Sequence, residues 1–296
     1  MPENAPPEIF DAVRAGGGDV VEMVDAQALI WTDPRNPRDL RRVLDEHPGI
    51  EWVQLPFAGI EPFVDVLDTD RIWTCGKGVY AEPVAEHALA LALGGMRGVG
   101  RYARRTTWSE PYGHNLLGAR VAILGGGAIT QSLVRLLTPF EVTITVVRKR
   151  PEPLAGVGEV VGSEGLHAAL AGVDLVVLAL ALTPDTERII DAPALAAMPG
   201  HAWLVNVARG RHVDTDALVS ALQDGSIGGA GLDVTDPEPL PDGHPLWTLP
   251  NCIVTPHIGN TPEMGIALLA TRIRDNVERF AGGDDLLGPV YVDLGY

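Results

Sequence analysis

Three side chains in the second half of the chain stand where chemistry would need them. Arg209 follows the apolar run Val205–Ala208, Glu238 follows Ile227–Val234, and His257 follows Cys252–Thr255. Apolar runs bounded by Gly or Pro read as buried strands. A charged group just past the end of such a strand is costly unless it is paired or used. The three types are complementary. A planar guanidinium can hold a carboxylate and the adjacent carbonyl together. An imidazole can give a proton to a carbonyl oxygen, and a neighbouring carboxylate keeps it protonated near neutrality. Singly, each has a plainer reading: a surface ion pair for Arg209, a solvated loop for Glu238, a satisfied histidine for His257. Their joint placement at successive strand ends, where open α/β sheets bind ligands, favours a catalytic set.

Such a set needs a partner for redox chemistry, and a glycine turn offers one. Gly125-Gly126-Gly127-Ala128-Ile129-Thr130 follows an apolar strand and opens a helical pattern. The first glycine permits the tight turn, and the second lets the backbone approach a pyrophosphate resting on the helix N-terminus. Thr130 replaces the third glycine, which predicts slightly wider helix–strand packing. A nucleotide site is expected at Gly125, Gly127, Ala128 and Ile129. At the end of the next strand, where NAD sites commonly carry an acidic residue for the ribose 2′-hydroxyl, the chain has Arg148-Lys149-Arg150. Guanidinium can grip a 2′-phosphate, and three consecutive cations are out of character in a chain of formal net charge −17. The plainer reading is a solvated turn. NADP(H) is the expected cofactor, with NAD(H) possible.

The elements that must position these groups form a repeated strand–helix series. Ala28–Trp31, Trp52–Leu55 and Arg71–Thr74 read as strands, and Asn36-Pro37 is a helix start. Val20–Val24 is a further short apolar run, and a short helix is expected near Pro62–Leu67. Glu82–Tyr102 reads as one long Ala/Leu-rich helix, with Gly94-Gly95 allowing close packing or a bend. His87 within it reads as a helix-start packing residue, and Arg97, Arg101, Arg104 and Arg105 as a solvated face. Strands follow at Val121–Gly125, Glu141–Val147, Leu175–Leu180, Trp203–Ala208, Ile227–Val234 and Cys252–Thr255, with helices between several. Pro262–Ala281 is the last helix, and the run Val290–Asp293 is expected to return to the first unit. The fold class is α/β: two Rossmann-like or flavodoxin-like domains with parallel sheets and a cleft between them. A discontinuous substrate-binding domain covers 1–87 and 261–296, and a dinucleotide-binding domain covers 88–260.

Composition sets outer bounds. The acidic balance leaves no electrostatic footprint for nucleic acid or anionic membrane. The two cysteines, Cys75 and Cys252, lie in apolar contexts and read as buried thiols. No metal is expected. The N-terminus lacks a signal pattern and no run is long enough to span a bilayer, so a cytoplasmic location is expected.

Over nearly its whole length the sequence resembles the D-isomer-specific 2-hydroxyacid dehydrogenases. The matching pieces are QLPFAGIE (54–61), EPVAEHALALAL (82–93), ILGGGAI (123–129), LALTPDT (180–186), LVNVARGRHVD (204–214), GAGLDVTDPEPLP (229–241), HPLW (244–247) and LPNCIVTPHIGN (249–260). The resemblance implies that Arg209 binds the substrate carboxylate, that His257 is the acid–base and that Glu238 pairs with it. It implies that Asp233 hydrogen-bonds the nicotinamide carboxamide. Backbone amides at Ala58 and Gly59 would cradle the carboxylate. Thr183, Val207, Ala208, His257 and Gly259 would line the cofactor cleft, and Arg148 would match the 2′-phosphate position of NADP-using members. Ala181 replaces a commoner Pro. The expected activity is NAD(P)H-dependent reduction of small 2-keto acids of the glyoxylate or hydroxypyruvate kind to D-2-hydroxy acids, and the reverse, by a homodimer. Two rival readings are a corepressor-like nucleotide-sensing protein and a formate-type dehydrogenase. The intact Arg/Glu/His set argues against the first, and the acidic Glu238 against the second. Trp52, Phe57 and Trp247 are candidates either for pocket walls or for core.

Overall fold

A computed structural model of the chain describes residues 5–34 and 36–292. It divides into two compact units, one running to residue 80 and resuming at 261, the other comprising 81–260.

In the first unit, strands β1 (Ala28–Ile30), β2 (Trp52–Gln54) and β3 (Ile72–Thr74) form a parallel sheet in that order. Successive strand residues face opposite sides, so Leu29, Val53 and Trp73 join Leu40 and Leu44 of helix α2 (Pro37–Glu46) in one core. Ile30 and Trp52 face the other side, against Ile9 and Ala12 of α1 (Pro7–Ala15) and Ile273 of the C-terminal helix Pro262–Gly282. Asn36 caps α2 by accepting from the Asp39 amide at 3.2 Å, with Pro37 in the first turn. The tail does return: Cys75 N–H donates to Gly288 O, and Val290 N–H to Trp73 O. Asp293 of the expected terminal run lies outside the described residues. Val20–Val24 forms no strand. Val20, Val21 and Val24 are exposed, and only a single 3-10 turn forms at Met23–Asp25. The helix expected near Pro62–Leu67 is likewise reduced to a 3-10 turn, Glu61–Phe63.

The second unit opens with α3 (Ala81–Met96) and α4 (Val99–Ala103). One continuous helix was expected here, but the break falls at Gly98, whose φ of 66° is left-handed. Gly95 instead serves close packing: a Cβ there would lie 1.9 Å from the Trp203 indole. The domain joint falls at 80/81 rather than 87/88. The reason is that the buried face of α3 (Ala85, Ala88, Leu91, Ala92) belongs to the core of the second unit from its first turn.

Strands β4 (Arg120–Leu124), β5 (Thr143–Val147), β6 (Glu159–Val161), β7 (Leu175–Leu178), β8 (Trp203–Asn206), β9 (Gly229–Leu232) and β10 (Cys252–Val254) form one sheet, ordered β10-β9-β8-β7-β4-β5-β6 and parallel throughout. The chain starts at β4, winds to one edge, then returns past β4 to the other, as in dinucleotide-binding folds. Helices α5 (Ala128–Leu137), α6 (Leu166–Leu170), α7 (Ala192–Ala197) and α8 (Thr215–Asp224) make the crossovers, and α9 is Pro262–Gly282 in the first unit. Burial on both faces explains the unbroken apolar runs of β7 and β8. No helix among the described residues is long and apolar enough to cross a membrane.

Candidate functional site

The structure brings Arg209, Glu238 and His257 to the carboxyl ends of β8, β9 and β10. Each turn is fixed by its own sequence. After β8, the buried Asn206 accepts from Ala208 N–H at 3.0 Å and donates to Arg209 O at 2.8 Å. Buried His212 sets Nδ1 3.2 Å from Arg209 N and 3.1 Å from Arg209 O, and Nε2 3.3 Å from Ala181 O. Only glycine fits after Arg209, because a Cβ on Gly210 would sit 1.9 Å from Thr235 O. The Arg209 turn is thereby pressed against the loop that carries Glu238.

Glu238 Oε1 lies 2.7 Å from His257 Nδ1. Both side chains are about half exposed. The contact raises the imidazole above its ordinary value and lowers the carboxyl, and in each case this hydrogen bond is the largest cause. The pair therefore favours imidazolium beside carboxylate, with Nε2 of His257 free of the Glu238 contact and able to face a reacting oxygen. Arg209 lies close enough to affect both groups.

His257 holds a φ of 55°, left-handed for a residue with a side chain. The turn is gripped by Asp233. Its carbonyl accepts from His257 N–H at 2.8 Å. Its carboxylate accepts from Thr255 Oγ1 at 2.6 Å and from the Ile258 and Gly259 amides at 2.9 Å. Burial alone would raise this carboxyl, yet hydrogen bonds from His87, Thr255, Ile258 and Gly259 pull it down to about 2. With Asp233 only 3 % exposed, at most one lone-pair direction on Oδ2 remains for any further partner.

The glycine turn fits a dinucleotide. Gly125 has φ 107°, and a Cβ would lie 2.2 Å from Ala179 O on the neighbouring strand end. Space is open around Gly127, which starts α5 with no side-chain cap. The first-turn N–H groups are thus left for an anion. Thr130 is fully buried and donates from Oγ1 to Gly125 O at 2.8 Å. It ties the helix to the turn where packing alone was expected. Arg148 lies across Gly126, its Cδ, Nε and Cζ within 3.2 Å of where a Cβ would be. The three cations have different neighbours: Arg148 lies 3.8 Å from Glu152, Lys149 is 3.2 Å from Asp185 and largely exposed, and Arg150 is exposed. Thr183 is held in a turn by Thr186, whose Oγ1 accepts from the Thr183 amide at 2.8 Å. Val207 and Ala208 are buried at the end of β8.

Ala58 and Gly59 belong to the first unit, in the loop after β2, with Ala58 exposed. The loop is anchored within that unit by Tyr80 Oη donating to Pro56 O at 2.7 Å and by Gly76 N–H donating to Phe57 O. Trp52 is core, whereas Phe57 and Trp247 are exposed. Arg104 binds the carbonyls of Gly100 and Cys252, and Arg101 lies over the Tyr112 ring. A cavity of about 500 Å³ is lined by Gly95, Arg101, Tyr112, His201 and Trp203. It opens at the amino ends of the strands, the wrong end for this chemistry.

Residues 88–259 match the family model for D-isomer specific 2-hydroxyacid dehydrogenase, NAD binding domain. The chain belongs to the D-isomer-specific 2-hydroxyacid dehydrogenases. An uncharacterised protein encoded in the proB 3′ region of Corynebacterium melassecola is 37% identical over 98% of this chain and 97% of its own. Glyoxylate/hydroxypyruvate reductase A of Serratia proteamaculans is 32% identical over 91% of this chain and 87% of its own. The crystal structure of a D-isomer specific 2-hydroxyacid dehydrogenase from Xanthobacter autotrophicus, in complex with NADPH and MES, aligns with a TM-score of 0.84 at 27% identity, covering 100% of this chain and 98% of that one. As a D-2-hydroxyacid dehydrogenase, the chain is an NAD(P)-linked oxidoreductase that interconverts a small 2-keto acid and its 2-hydroxy acid.

Proposed function

We propose that this dehydrogenase reduces glyoxylate- or hydroxypyruvate-like keto acids with NADPH in preference to NADH. The carrying observation is the 2.7 Å His257–Glu238 contact at the strand ends next to the Arg209 turn. When bound, the nicotinamide supplies or accepts the hydride. Arg209 holds the substrate carboxylate and polarises the keto oxygen, while protonated His257 gives that oxygen its proton. Glu238 keeps the proton available. In the reverse direction neutral His257 takes the proton back. Gly125, Gly127, Ala128 and Ile129 hold the pyrophosphate, and Thr183, Val207, Ala208 and Gly259 line the cofactor site. The remaining lone pair of Asp233 would meet the carboxamide. Residues 1–80 with 261–296 form the substrate-binding domain, whose Ala58 and Gly59 amides are offered to a substrate carboxylate.

The preference for NADP(H) rests on Arg148, whose guanidinium lies across Gly126 at the end of β5. The small size of the substrate is supported by the name of the Serratia relative. A homodimer is supported by the apolar groups Val99, Trp108 and Leu117, which stand exposed along one segment. We place the enzyme in the cytoplasm. A keto-acid panel run in parallel with NADPH and NADH tests the assignment. Turnover on two- and three-carbon keto acids with NADPH is expected. Tight NADPH binding without turnover on any of them would sink it.

A further inference from the structure

Helix α3 reaches the site through one polar side chain. His87 Nε2 lies 2.9 Å from Thr255 Oγ1 and 3.2 Å from Asp233 Oδ1. Asp233 is a carboxylate and only accepts. Thr255 has one hydroxyl proton, and it goes to Asp233 Oδ1 at 2.6 Å. Thr255 Oγ1 must then accept from His87, so Nε2 carries a proton whether or not the ring is charged. His87, Thr255 and Asp233 form a closed set of donors and acceptors, with Asp233 almost fully buried and His87 mostly so.

The placement of His87 follows from the packing of α3 on β9. Gly231 lets the helix come close, since a Cβ there would lie 2.9 Å from Leu91 Cβ. One turn earlier on the same helix face, His87 meets Asp233, two residues further along the strand. The helix is thus registered on β9 by Leu91 and reaches past the strand end with His87. What it reaches is the strained turn. A left-handed conformation at a residue with a side chain persists only where its surroundings over-determine it. At His257 those surroundings are the Asp233 carbonyl and carboxylate, with Thr255 completing the grip.

The geometry points to His87 as a positioning residue for the reaction: through Thr255 and Asp233 it holds the left-handed turn from which His257 projects. It touches neither Glu238 nor the reacting atoms. This rests on the reading of His257 as the proton donor, and deepens it by tying that donor to α3. Loss of the His87 bond leaves Thr255 Oγ1 and Asp233 Oδ1 each short of a donor. The 255–259 turn then loosens while the fold around it stays in place.

The test compares His87→Leu, His87→Gln and Thr255→Val in the full chain. A glutamine amide nitrogen can occupy the place of Nε2, and leucine cannot donate. His87→Leu and Thr255→Val are each expected to lower kcat for keto-acid reduction at least tenfold, with substrate KM changed less than threefold. The double variant should lose no more than either single one, because both break one linkage. His87→Gln should recover most of the lost kcat. The alkaline limb of the rate profile should move to lower pH in the Leu and Val variants. The groups facing His257 are Glu238, Asp233 and Arg209, and a loosened turn weakens the Glu238 contact first. A His87→Leu enzyme within twofold of wild-type kcat with an unmoved alkaline limb overturns the proposal. So does a double variant whose losses multiply, or a glutamine variant no better than leucine. If His87→Leu does not fold, Thr255→Val carries the same comparison. His257→Gln is the separate control: retention of near-normal kcat there would remove the proton-donor reading itself.

Discussion

Glu238 and His257 are both about half exposed, so their contact adds little to stability, below about 1 kcal/mol. Its consequence is protonation. The imidazole is raised, so reduction should be level below that raised value and fall as pH climbs through it; oxidation should rise over the same span. Glu238→Gln keeps an acceptor for Nδ1 and removes the charge. The alkaline limb of reductive kcat/KM is therefore expected to move to lower pH, with a loss of roughly ten- to a hundredfold at slightly alkaline pH. An unmoved limb would show that Glu238 only orients the ring. Arg148 belongs to the same scale. Arg148→Ala is expected to raise KM for NADPH roughly ten- to a hundredfold, the worth of a charge-assisted contact, and to leave KM for NADH within twofold. Equal losses for both cofactors would count against a 2′-phosphate role. Arg209, Glu238 and His257 were legible in sequence because each ends an apolar run. Asp233 was legible only as a motif, since nothing in GLDV says that its carboxylate accepts from residues 255, 258 and 259.

Helix α3 carries two adjacent glycines with opposite physical meaning. A Cβ on Gly94 would meet only Ile253 Cδ1 at 3.6 Å, an ordinary contact, whereas one on Gly95 would enter the Trp203 indole. Alanine gains about 1 kcal/mol over glycine in helix propensity. Gly94→Ala is therefore expected to raise the melting temperature. Gly95→Ala should lower it, because overpacking costs about 1–3 kcal/mol and outweighs that gain. Thermal denaturation with near-UV dichroism of the tryptophans reads both; a stabilised Gly95→Ala would mean that the helix shifts freely on β8. This contrast is invisible in the string GG, as is the break at Gly98. Strand positions were legible from apolar runs, but their ends were overestimated. Leu175–Leu180 and Trp203–Ala208 shorten to Leu175–Leu178 and Trp203–Asn206, because the last residues turn away to build the ligand-binding end. The short edge strand β6 carries too little pattern to stand out, whereas α1 carries Ile9, Ala12 and Val13 at helical spacing behind Pro7 and was legible although not among the expected elements. Val20–Val24 is a short apolar run whose valines stay exposed, so it builds no strand.

At the scale of the molecule, a formal net charge of −17 surrounds a site that must capture anions. Local cations attract substrate and cofactor, while the global field repels them. Screening reaches the distant charges first, since the Debye length is about 30 Å at 0.01 M and about 10 Å at 0.1 M. Raising ionic strength across that range is expected to increase kcat/KM for the keto acid modestly, by roughly two- to fivefold. A steady fall instead would assign the steering to the local cations. The two-unit division was legible because the Ala/Leu helix and the strand series mark it, although the joint itself lies at 80/81. Synthesis on the ribosome separates the two parts of the first unit in time. The first unit is completed only by α9 and the 288–290 bridge to β3. Residues 81–260 are therefore extruded whole while Trp52 and Ile30 still lack Ile273. The unit that begins first therefore finishes last.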